Sequence, residues 1–223
     1  RPAEAPRRTL KVASVLGRVF RGPMLPGVYP ELGSFDEVRE YLRALRESEL
    51  VNIDLEAEQT YVFKHGVTQE VAYESMPFAM RSMLHEQVGS YIEASEADAI
   101  DRNLDLLAHH YWRSENLAKK REYLLRAGDA AEASYANRAA IDYFEKLAPL
   151  VEQAARVDVL LKLGKVLELI GNWRRAEQVE SEALALADDS GEERSRASCE
   201  TALAEVARKQ GRFDEAVSRL DRA

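Results

Sequence analysis

The chain has 223 residues, enough for one large or two modest domains, with 46% hydrophobic and 31% charged residues. Its net charge of −8 excludes strong non-specific attachment of the whole chain to nucleic acid or anionic lipid. A single cysteine, Cys199, excludes an intramolecular disulfide and fits a reducing cytoplasm, and no apolar run is long enough to span a membrane.

The first eight residues, Arg1 to Arg8, lack the apolar stretch of a signal peptide and an initiator Met. The last residues, Asp221 to Ala223, fall inside an apparent helix. We expect a fragment of a longer cytoplasmic protein. Leu10, Ala13, Leu16 and Phe20 recur at helical spacing, and Val12, Val15 and Val19 widen the apolar face. Gly22 and Pro23 end that helix. Pro26, Gly27 and Pro30 leave room only for a short, irregular second helix.

Ser34 and Glu37 have the spacing of a capping box, and the helix they open is expected to bury Val38, Tyr41, Leu42 and Leu45. Val51, Ile53 and Leu55 recur with a period of two, as do Tyr61 and Phe63. The two runs read as a hairpin with Glu56 to Gln59 as its turn or wing. Helix, short helix, helix, hairpin is the order of a winged helix. A DNA-binding regulator using the helix from Ser34 is one functional alternative. The charges oppose it: Arg39, Arg43 and Arg46 stand against Asp36, Glu37, Glu40, Glu47 and Glu49, and the wing carries Asp54, Glu56 and Glu58.

After Phe63 the pattern turns from strand to helix, with Val67, Val71 and Ala72 on one helical face. His65 sits at the joint, beside free backbone N–H groups and the positive end of a helix dipole, a place suited to a phosphate. Pro77 resets the chain. Met80, Met83, Leu84, Val88, Tyr91 and Ile92 then form an amphipathic stripe, read as core rather than as a promiscuous binding groove. No pair among His85, His109 and His110 is joined by a carboxylate at ligand spacing, so zinc is not expected.

From Leu104 the chain repeats itself. Gly171 to Ala176 and Gly211 to Ala216 align at a spacing of 40 residues, as do Leu163-Gly164 and Leu203-Ala204. Each unit reads as a helix, a glycine turn, an aromatic, an alanine and a second helix. An earlier unit is visible from Ala127 to Leu147. Another begins near Leu107, though Lys120 occupies a place that usually holds alanine. The stretch Ala187 to Glu192 reads as a lengthened loop. Cys199, among Ala197, Ala202 and Leu203, reads as buried and inert.

The repeats resemble tetratricopeptide repeats with a lengthened period. Such units stack as an α-solenoid whose first helices line a concave face. On that spacing Glu122, Asp129, Glu132, Asp158, Lys165, Glu168, Glu205 and Arg208 look into a peptide groove. Six acids against two bases suit a basic or mixed peptide. Phe213 and Leu220 stand on the last helix with no repeat after them, which is expected if the array continues.

The stretch Phe63, Lys64, His65, Gly66, Val67 resembles the end of the winged-helix domain in STAND-class signalling NTPases, with Gly66 where the apoptosis and plant-resistance branch has Asp. These include bacterial multidomain regulators in which a nucleotide cyclase or DNA-binding domain joins an NTPase module and tetratricopeptide-like repeats. The resemblance implies that His65 senses the β-phosphate of ADP held by an NTPase module elsewhere in the full-length protein. The sequence has no Gly-x-x-x-x-Gly-Lys-Ser/Thr loop, no Gly-x-Ser-x-Gly and no His-Glu-x-x-His. We therefore expect a mainly α, non-enzymatic chain with no cofactor of its own. Residues 1–76 form a winged-helix-like domain, and residues 77–223 form tetratricopeptide-like repeats. Its function would be regulation and scaffolding through protein or peptide contacts, the NTPase module among them, with nucleic acid and membrane disfavoured. The main alternative is an independent peptide-binding repeat adaptor.

Overall fold

A computed structural model describes residues 4–54 and 58–223, and the protein is mainly α. Its packing divides the chain into two compact units, Arg1–Asn116 and Leu117–Ala223. The last strand ends at Phe63, and the expected boundary at 76/77 falls between two helices. The division by packing lies later, so the helices from Phe78 to Arg113 belong to the first unit.

The first unit opens with α1 (Glu4–Leu16), which ends four residues earlier than the periodicity suggests. Gly17 at φ +125° is the cause, since that backbone leaves the helical region. Val19 and Phe20, expected on the helix, instead form β1 (Val19–Arg21). After α2 (Met24–Val28), the capping box opens α3 (Phe35–Glu47). The Ser34 N–H donates to Glu37 Oε2 at 2.8 Å, and the Glu37 N–H donates to Ser34 Oγ at 3.4 Å. Val38, Leu42 and Leu45 are buried and Tyr41 half-buried.

β2 (Val51–Ile53) and β3 (Thr60–Phe63) complete an antiparallel sheet of order β1-β3-β2, with Phe20 opposite Tyr61 and Asn52 opposite Val62. The expected hairpin is therefore present but has a third strand on its open edge. Of the expected wing, Glu56, with Leu55 and Ala57, lies outside the described residues, whereas Glu58 and Gln59 form a turn. Phe20 packs on Phe63 with ring centres 5.6 Å apart, and Phe63 is fully buried.

α4 (Gly66–Glu74) follows directly, then α5 (Phe78–Ser95) and α6 (Leu104–Arg113). Of the expected stripe on α5, Leu84, Val88 and Ile92 are buried, while Met83 is exposed. α4 departs from expectation: Ala72 is buried, but Val67 and Val71 stand 68% and 63% exposed.

The second unit consists of three successive helix pairs: α7 (Leu117–Ala133) with α8 (Asn137–Leu147), α9 (Gln153–Leu169) with α10 (Trp173–Ser190), and α11 (Glu193–Lys209) with α12 (Phe213–Leu220). Gly171 and Gly211 turn the chain at φ +74° and +79°, as their spacing requires. The expected loop at Ala187 to Glu192 is not a loop. α10 continues through Ser190 and closes on a left-handed Gly191, so the inserted residues lengthen a helix.

Each close pair is keyed by a small residue. On α7 a Cβ at Gly128 would lie 2.6 Å from the ring of Phe144 on α8, and Phe144 is fully buried. We predict that Gly128→Ala destabilises this unit by about 1–3 kcal/mol, because overpacking outweighs the ~1 kcal/mol helix-propensity gain. Urea unfolding checks this, and Gly128→Ala combined with Phe144→Leu should recover part of the loss.

Candidate functional site

His65 lies where the sequence places it, between β3 and α4. Its backbone is extended at φ −130°, ψ 139°, and serves as the N-cap of α4 without any side-chain capping bond. The His65 C=O accepts the Thr68 N–H at 3.0 Å. Its imidazole is exposed and makes no hydrogen bond or ion pair among the described residues. The neighbouring Lys64 is held by Glu49 at 3.1 Å. No acidic residue occupies the first turn of α4, so its dipole end is not neutralised by its own helix. A Cβ at Gly66 would meet nothing within 4 Å, so the open space there does not demand glycine.

The eight expected groove residues fall on the first helices of the three pairs: Glu122, Asp129 and Glu132 on α7, Asp158, Lys165 and Glu168 on α9, and Glu205 and Arg208 on α11. Their acids are largely committed. Asp129 accepts from Lys162 at 2.7 Å and Glu132 from Lys165 at 2.6 Å, both pairs 33 residues apart in sequence. Glu168 accepts from Lys209 at 2.9 Å, and Glu205 takes a bidentate grip from Arg208 at 2.6 and 2.8 Å. Glu122 lies 3.1 Å from Lys119 and 3.4 Å from Arg126.

Lys162 and Lys209, absent from the sequence expectation, thus neutralise part of the acidic face. A period near 33 linking Asp129 to Lys162 was the signal that could have found the first. Glu168 is buried rather than facing outward. Asp158 lines a cavity of about 440 Å³ with Leu125, Leu147, Val151 and Val159.

A polar cluster that sequence reasoning missed sits in the first unit. His85 of α5 and His110 of α6, both 2% exposed, meet with their Nδ1 atoms 2.9 Å apart. His85 Nε2 lies 3.0 Å from the Tyr73 hydroxyl of α4. One Nδ1 must donate and the other accept, so this geometry requires at least one of the two rings to be neutral. Burial, reinforced by the nearby His109 and Arg113, pushes both down to about 3. The chain of bonds runs Tyr73, His85, His110 along a cavity of about 660 Å³ also lined by Gln69, Asp105 and Arg113. Twenty-five residues separate the two histidines, so no local motif announces them.

The second unit buries a charge of the opposite kind. Glu180 on α10 is fully buried against Gly164, with neither carboxyl oxygen hydrogen-bonded. Burial and the adjacent Glu168 carboxylate push it up to about 8. Cys199 is buried as expected, and burial beside Glu180 raises its thiol to about 11, which leaves it a poor nucleophile. Among the described residues no group of three or more His, Cys, Asp or Glu could hold a metal ion. No protein-family model matches this chain, and no curated protein matches it in sequence.

The two buried groups carry opposite pH signs. The histidine pair, depressed from 6.5, stabilises the first unit above pH 6.5 and loses that contribution as pH falls toward 3. Glu180, raised from 4.5, favours the second unit below pH 4.5 and loses that contribution as pH rises toward 8. Each titrating group has a limiting slope of about 1.4 kcal/mol per pH unit, so the histidine pair reaches about twice that. We predict that Glu180→Gln flattens the second unit's alkaline loss and leaves the first unit's acid loss unchanged. Hydrogen exchange of each unit across roughly pH 4 to 8, read by mass spectrometry, checks both, since the unfolded values of 4.5 and 6.5 and the raised value of Glu180 fall within it.

Proposed function

We propose that the chain is a non-catalytic regulatory and scaffolding part of a larger STAND-class signal-transduction protein. In this reading residues 1–76 act as a winged helix that packs on an NTPase module, and His65 senses the nucleotide held there. The helix pairs act as tetratricopeptide-like repeats that bind a protein partner or hold the module closed. The mechanism is a population shift between closed and open forms, biased by the nucleotide.

The observation that carries this reading is the condition of His65. It is exposed at a strand-to-helix junction, uncommitted to any neighbour among the described residues, beside a helix end with no acid in its first turn. A histidine retained for its own domain's stability would be packed or hydrogen-bonded, as His85 and His110 are. The DNA-binding alternative draws less support, because Arg39 and Arg43 on α3 are held by Asp36 and Glu40 at 2.5 and 2.7 Å. The adaptor alternative is favoured by the 440 Å³ cavity between α7 and α9, which offers an apolar anchor site on the first-helix face.

Calorimetry of ADP and ATP on the full-length protein tests the proposal. We expect tight ADP binding that weakens in His65→Ala by about 10-fold, the loss of a charge-assisted contact. Binding unchanged by the substitution removes His65 from the mechanism. A full-length protein with no nucleotide site leaves the adaptor.

A further inference from the structure

The same helix that His65 caps exposes an apolar face that nothing in its own unit covers. Val67 and Val71, one turn apart on α4, are 68% and 63% exposed. With Leu10 of α1 and Leu50 they line a surface groove of about 560 Å³. Two large exposed valines on a nine-residue helix are a costly surface unless something uses it.

The rim of the groove decides what could use it. Its charged lining residues are Arg7 and Lys11, four apart on α1, and no carboxylate lines it. Neither side chain is held in an ion pair or hydrogen bond among the described residues. Elsewhere in this unit Arg39 pairs with Asp36, Arg43 with Glu40, Lys64 with Glu49 and Arg81 with Glu74, while the exposed Arg18, Arg21, Arg46 and Arg102 are unpaired among the described residues but do not line this groove. In a chain of net charge −8, two uncommitted cations beside two uncommitted valines form a local patch of opposite character.

We propose that the α1–α4 groove is a docking site for an acidic amphipathic helical segment of a protein partner. Its apolar residues, at i and i+4, lie over Val67, Val71, Leu10 and Leu50, and its flanking Asp or Glu residues meet Arg7 and Lys11. The length of α4, roughly 13 Å, matches two to three turns of such a helix. The charges set orientation and partner choice, while the valines supply most of the buried apolar area. The groove stands independently of any nucleotide role for His65, whose side chain it does not use.

The test uses two labelled helical peptides with the same leucine pair at i and i+4, one flanked by glutamates and one by lysines. Fluorescence anisotropy against the whole chain should show binding of the acidic peptide at least about 10-fold tighter than the basic one. Val71→Asp should abolish that binding, and Arg7→Glu with Lys11→Glu should reverse the preference. These residues are exposed or rim positions, and circular dichroism will confirm that each variant folds. Equal binding of both peptides, binding of neither, or a preference that survives the charge reversal overturns the proposal. So does a concentration-dependent dimer abolished by Val71→Asp, which would assign the groove to a second copy. His65→Ala should leave peptide binding unchanged, so failure of the nucleotide reading and failure of this one are separable.

Discussion

Close helix approach through one small residue is the constraint on which most of this chain depends. Gly89 on α5 lies under the ring of Tyr111 on α6, Gly128 on α7 under Phe144 on α8, and Gly164 on α9 under Glu180 on α10. Glycine inside a helix costs about 1 kcal/mol against alanine, so three such positions need a return. The return is burial: Tyr111 and Phe144 are essentially inaccessible, and a fully buried aromatic contributes more than that cost. In the fourth pair Ala204 stands at the place of Gly164, and Leu220 at the place of Glu180, by the 40-residue spacing.

Glu180 explains why one pair behaves differently from the rest. It occupies the slot that holds an aromatic ring in the pair before it, so its carboxyl is buried for reasons of shape. No donor reaches it, and the neighbouring Glu168 spends its own oxygen on Lys209. A carboxyl in that position, pushed up to about 8, stays protonated near neutrality. In the first unit the same principle works with bases. His85 and His110 are kept uncharged by their burial, bonded to each other and, at one end of the chain, to Tyr73.

Much of this was legible in the sequence because it is local. The capping box at Ser34 and Glu37, the turns at Gly171 and Gly211, and the core positions Val38, Leu42 and Leu45 each follow from residues within a few places of one another. The misses share a different physical origin. β1 was hidden because Val19 and Phe20 continue the helical apolar spacing, and only the backbone at Gly17 breaks it. The long α10 was hidden because Asp188, Asp189 and Ser190 are turn-prone by composition, yet sit on the exposed side of a helix already paid for by Ala183 and Ala187. His65 was placed correctly, but the exposure of Val67 and Val71 was not, since periodicity identifies a shared face and says nothing of what covers it.

The first-helix face of the second unit shows most clearly where composition misleads. Read as a sequence, it presents six acids and two bases. In three dimensions Lys162 and Lys209 enter from the same face, and ion pairs join α7 to α9 and α9 to α11. A basic peptide approaching this face would have to compete with lysines already in place, gaining little for each exchange because exposed pairs are worth only about 0–1 kcal/mol. Asp158 is different: it lies beside Leu125, Leu147 and Val159 in the 440 Å³ cavity and has no ion-pair partner among the described residues. What this face presents is an apolar cavity edged by Asp158 and Glu122 and by Arg121 and Lys162, rather than a field of negative charge. The paired residues serve chiefly to hold successive first helices in register.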